Sequence, residues 1–118
     1  MNYFTIEELS QSSTAIKEKI DNIPTVLAVR YMNRLIEKTL NPAREILGTP
    51  IKVNSGFRSL KLNSRIGGAR NSYHLQGRAA DLNAGSPKAN IQLYNILQRL
   101  PHIELINEKN ATWIHVAL

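Results

Sequence analysis

The hydrophobic period of this chain changes once, near Gly48-Thr49-Pro50, and that change decides most of what it can fold into. Before it, Val29, Met32, Ile36 and Leu40 follow one another at steps of three or four, and Val26, Ala28 and Leu35 widen the stripe. That spacing predicts a long amphipathic helix from Thr25 onward, with Pro24 at its first position. Pro42 either kinks this helix or restarts it with Asn41 as cap, and Gly48 ends it. Upstream, Thr5 and Glu8 are spaced as a capping box and Phe4 is placed to staple onto Leu9, so a short helix opens the chain. A polar run at 10–13 interrupts it before a second short helix over 14–20. Past the change, 50–55 alternates as a strand, 56–59 is a turn, and 60–66 is a short helix broken by Gly67-Gly68. Strands follow at 79–83, 103–107 and 112–118, with a helix between Ser86-Pro87 and Leu100 that Pro101 stops. Helices gather first and strands second, without strict βαβ alternation. The expectation is an α+β fold, N-terminal helices packed on a small, mainly antiparallel sheet.

The 118 residues are expected to form a single domain, 1–118. A chain of this length buries roughly two-thirds of its unfolded surface, so its core needs no disulfide or structural metal. The absence of cysteine removes thiolate metal sites and cysteine nucleophiles together. Any metal ligands must be His, Asp or Glu. Fifteen Lys and Arg against nine acids give a net charge of +6, which favours anionic partners. The basic residues are scattered, however, with no block of five, as on an ordinary solvated surface. No apolar run approaches the roughly 18 residues of a membrane span, and the first residues lack the pattern of a signal peptide.

One stretch carries chemistry. Ser72-Tyr73-His74-Leu75-Gln76-Gly77-Arg78-Ala79-Ala80-Asp81 joins a loop histidine to a strand aspartate through a glycine turn, and Trp113-Ile114-His115 follows near the end. Two histidines and one carboxylate suffice for a catalytic zinc, which keeps a fourth position for water. Strand parity sets Asp81 opposite in direction to Ala80 and Leu82, and His115 opposite to Ile114 and Val116, so both can leave the helical layer on one face. On spacing alone a lone histidine is more often a surface or satisfied core residue than a ligand.

The wording of the whole stretch goes further. Ser72-x-His74-x-x-Gly77-x-Ala79-x-Asp81, preceded by Ser55-Gly56-Phe57-Arg58-Ser59 and followed by Trp113-Ile114-His115, closely resembles the zinc D-Ala-D-Ala carboxypeptidase and L-Ala-D-Glu endopeptidase family. Phe4-Thr5-Ile6-Glu7-Glu8-Leu9 and Ser12-Ser13-Thr14-Ala15 resemble its compact phage and bacterial branch. The resemblance implies a Hedgehog/DD-peptidase type of fold, with Zn2+ held by His74, Asp81 and His115. It further implies hydrolysis of an amide bond in peptidoglycan stem peptides, in a carboxypeptidase, an endopeptidase or a phage lysin. Arg58 then holds the substrate or its developing oxyanion, a task that suits a guanidinium fork.

Ser72 and Gln76 flank the metal loop and are candidates for substrate contact, with local turn capping the alternative. Trp113 is a candidate wall of the cleft, or plain packing. Gly77 and Gly67-Gly68 serve tight backbone geometry, and His102 is a surface residue. Much of the family places an acidic general base three positions before the last histidine, where this chain has Thr112. Glu108, which matches an acidic residue of the compact branch, is the first candidate to replace it, across the hairpin; Glu104 is the second. The expected partner is the stem peptide, with no obligatory protein partner, no membrane and no nucleic acid, on a monomer. Synthesis in the cytoplasm, with action on the cell wall after release, is the expected localisation. The reading from another class is a catalytically inert metal-binding module for cell wall or nucleic acid, motivated by the charge and by Thr112.

Overall fold

The computed structural model describes residues 2–118. Two short helices open the chain, α1 (Ile6–Ser10) and α2 (Ser13–Glu18). Thr5 Oγ1 accepts from the Glu8 amide, as the capping pattern requires, and Phe4 and Leu9 share the core. The second cap is Ser12, whose hydroxyl accepts from Ala15 N, so α2 starts one residue earlier than expected.

The long helix runs as α3 (Val26–Leu35), a π-helical turn (Ile36–Leu40) and α4 (Asn41–Leu47), without a break. Thr25 caps it through Ala28 N, which places Pro24 ahead of the cap and not at the first position. Pro42 brings neither a restart nor a cap. The Asn41 amide reaches back five residues to Ile36 O, and this wider turn accommodates the proline that a regular α-helix would reject. Asn41 is engaged elsewhere, its Oδ1 accepting from Tyr3 N at 2.9 Å. The buried stripe is Ala28, Met32, Leu35, Ile36, Leu40 and Ala43, whereas Val26 stands 77% exposed in the first turn. Side chains as deeply buried as Met32 and Leu35 each contribute about 1.5–3 kcal/mol.

Four strands, β1 (Lys52–Ser55), β2 (Ala79–Asn83), β3 (Glu104–Glu108) and β4 (Trp113–Ala117), form one antiparallel sheet in the order β1-β2-β4-β3. Helix α5 (Leu60–Arg65), capped by Ser59, and a 3-10 turn (Tyr73–Gln76) lie between β1 and β2. Helix α6 (Pro87–Leu97), capped by Ser86, lies between β2 and β3; its expected last turn to Leu100 tightens into i→i+3 bonds. Ala80, Leu82, Ile114 and Val116 face the helices and are fully buried with Leu93 and Leu97 of α6. The alternate residues form the opposite face, where Asp81 lies directly across from His115 and His115 across from Ile106.

Two local features aim this face. An irregularity between Val53 and Ser55 brings Ser55 opposite Asp81. Gly77 ends the 3-10 turn at φ +75°, and a Cβ there would lie 2.6 Å from Ala28 O, so only glycine docks this turn on α3. No helix among the described residues is long and apolar enough to cross a membrane.

Candidate active site

His74, Asp81 and His115 come from three elements and meet at one point, one ligand atom of each lying within 4.8 Å of the others. Ser72 Oγ accepts from the His74 amide at 3.1 Å and starts the 3-10 turn. The His74 ring is buried, and its Nδ1 lies 2.7 Å from Gly56 O. A carbonyl only accepts, so Nδ1 carries a proton, and Nε2 points at Asp81 Oδ1, 3.3 Å away. His115 presents Nδ1 to the same oxygen at 2.8 Å. The two rings stand 5.3 Å apart at 60°. One carboxylate oxygen therefore faces two imidazole nitrogens, while Asp81 Oδ2 faces Arg58 Nη2 at 3.6 Å.

Electrostatics follow from this geometry. Burial pushes the Asp81 carboxyl up, but hydrogen bonds from His115 and His74 and their charges outweigh it and hold it well below the usual carboxylate range. Burial pulls His115 down, yet its bonds to Asp81 and Glu104 win and raise it. Burial lowers Arg58, with Asp81 opposing. The donor set fits zinc in kind and number: two neutral-capable imidazoles, one ionised carboxylate, and a backbone carbonyl fixing the tautomer of one ring.

Beside these residues lies a cleft of about 410 Å3. One wall is Ala69, Asn71, Ser72 and Tyr73; the other is Glu104, Ile106, Glu108 and His115. The parity of β3 explains the second wall, because Glu104, Ile106 and Glu108 alternate onto the His115 face. Glu104 Oε1 lies 2.5 Å from His115 Nε2, whereas Glu108 lies opposite Trp113. Thr112 is exposed, its hydroxyl donating to Lys109 O at 2.6 Å inside the turn.

The structure thus gathers Arg58, His74, Asp81 and His115, and sets Ser72, Glu104 and Glu108 around the same cleft. Trp113 and Gln76 do not line it, and Arg58 borders a neighbouring pocket of about 190 Å3 with Ser55, Phe57 and Leu62. Gln76 is exposed and its Oε1 accepts from Arg78 Nη1 at 3.3 Å, while Lys109 Nζ sits 5.5 Å above the Trp113 ring. His102 is exposed, its Nδ1 donating to Leu100 O at 2.8 Å. Two contributions escaped sequence reasoning. Glu104 as the partner of His115 was readable from strand parity, but buried Asn63, which donates to Ala69 O and accepts from Arg58, carries no motif signal.

Residues 2–117 match the family model of peptidase M15. Over 48 residues, 40% of this chain, the sequence is 56% identical to the zinc D-Ala-D-Ala carboxypeptidase of Streptomyces albus G, and the match spans 19% of that relative's length. A family model covering nearly the whole chain, on an α+β scaffold that assembles a His/Asp/His donor set, shows that this chain belongs to the peptidase M15 family.

Proposed function

We propose that this domain is a zinc hydrolase of an amide bond in peptidoglycan stem peptides, removing a terminal D-alanine or cutting an internal L-Ala to D-Glu bond, the second activity serving a phage lysin. The observation that carries the reading is the single Asp81 oxygen facing His74 Nε2 at 3.3 Å and His115 Nδ1 at 2.8 Å. Zinc held there would polarise the scissile carbonyl and acidify water. Arg58 binds the substrate carboxylate or the oxygen that gains charge, with Ser72 offering a hydrogen bond from the facing wall. Glu108 takes the proton from the attacking water and returns it to the leaving amine. Its rival Glu104 already accepts from His115 Nε2 and so orients that ring, a supporting role common behind metal-binding histidines.

The second reading, an inert metal-binding module, is favoured by Thr112, whose hydroxyl is spent within its own turn. Turnover of purified muropeptides separates the two. Hydrolysis that chelator abolishes and zinc restores supports the enzyme; metal binding with no turnover of any stem peptide supports the inert module.

A further inference from the structure

Arg58 has five N–H donors, and the protein fixes where they point. Nε donates to Ser55 Oγ at 3.0 Å, Nη1 donates to Asn63 Oδ1 at 3.2 Å, and Nη2 faces Asp81 Oδ2. These partners belong to β1, α5 and β2. Asn63 is 2% exposed, unusual for an amide near the end of a short helix, and both ends of its side chain are used. Its Nδ2 donates to Ala69 O at 2.9 Å, at the start of the cleft wall, and its backbone carbonyl accepts from Gly68 N at 2.8 Å. A Cβ on Gly68 would lie 2.1 Å from Asn63 Oδ1 and 3.0 Å from Arg58 Nη1, so backbone closes over the contact with no room for a side chain.

We infer that Asn63 is a positioning residue for Arg58: it holds the guanidinium so that the free N–H groups of both terminal nitrogens face a substrate carboxylate or oxyanion. The inference rests on the role proposed for Arg58. Without Asn63, Nη1 loses its anchor on α5 and the fork is free to turn toward Asp81, the metal ligand it now touches only through Nη2.

A double-mutant cycle on stem-peptide turnover tests this, with zinc content, thermal midpoint and the Arg58 Nε–Hε NMR signal recorded for each variant. Asn63→Ala should lower kcat/KM by about tenfold to a hundredfold, the scale of a misplaced catalytic group, and broaden or shift the Arg58 signal. Added to Arg58→Ala, it should cost nothing further. Asn63→Asp keeps the acceptor for Arg58 and loses the donor to Ala69 O, so it should retain most turnover. Losses that multiply across the cycle, or an aspartate variant as impaired as the alanine one, overturn the inference and leave Asn63 as a fastener of the loop. If Asn63→Ala does not fold, the aspartate arm decides. Full turnover in Arg58→Ala identifies a different failure, that of the role given to Arg58 itself.

Discussion

Each ring nitrogen of His115 faces a different carboxylate, Asp81 on Nδ1 and Glu104 on Nε2. A ligand histidine needs one nitrogen for the metal and an acceptor on the other to set tautomer and orientation. This assignment gives the two glutamates separable phenotypes. Glu108→Gln should keep zinc and lose turnover by roughly a hundredfold or more, because the amide keeps the shape but accepts no proton. Glu104→Gln keeps an acceptor for Nε2, so it should lower zinc affinity modestly and turnover less. Metal analysis after dialysis beside steady-state rates reads both. A fully active Glu108→Gln with a dead Glu104→Gln would make Glu104 the base. Sequence reasoning named His74, Asp81, His115 and both glutamates through the resemblance to a family, since residue type and spacing alone left the histidines ordinary. It did not reach the Gly56 carbonyl on His74, since backbone groups leave no signature in a sequence.

Between elements, most boundaries were legible where a side chain caps a helix, as at Thr5 and Ser86, and illegible where a carbonyl five residues back does the work, as at Asn41. The turn between β3 and β4 was legible in its place but not in its backbone conformation. Lys109, Asn110 and Ala111 all have positive φ, 46°, 55° and 62°, an uncommon run for residues with side chains. Its support is Asn90 of α6, buried, whose Nδ2 donates to Ala111 O at 2.8 Å and Thr112 O at 3.2 Å while Oδ1 accepts from Ala84 N. Asn90→Ala should therefore destabilise the fold by about 2–3 kcal/mol, since it strands buried carbonyls whose conformation is already costly. Urea unfolding measures it; a change below about 0.5 kcal/mol would show that the turn holds its shape unaided.

For the whole molecule, the site makes stability depend on pH with opposite slopes in the two metal states. Metal-free, Asp81 contributes above the ordinary carboxyl value of about 3.9, and the contribution is lost as pH falls through its depressed folded value. His115 contributes below its ordinary value of about 6.5, and that contribution is lost as pH rises through its raised folded value. Above about pH 6.5 the metal-free protein should therefore lose stability as pH rises. Zinc reverses this, because it competes with the proton on His115 and binds more tightly as pH rises. Thermal midpoints with and without chelator should therefore diverge toward high pH, and parallel curves would remove His115 from the metal site.

The π-helical turn gives the long helix one residue more than a regular helix would need to span the same rise. Elsewhere on the surface a deletion shortens a loop; here it would close the wide turn. Removing one residue from 36–40 would turn the closure of Asn41 N on Ile36 O into an ordinary i→i+4 bond, which keeps the downstream phase but takes away the room that Pro42 uses. Leu40 and Ala43 would stay over the core, but the Pro42 ring would meet a carbonyl one turn back. The length of this segment is thus held as tightly as the identity of any ligand, although no residue in it touches the site.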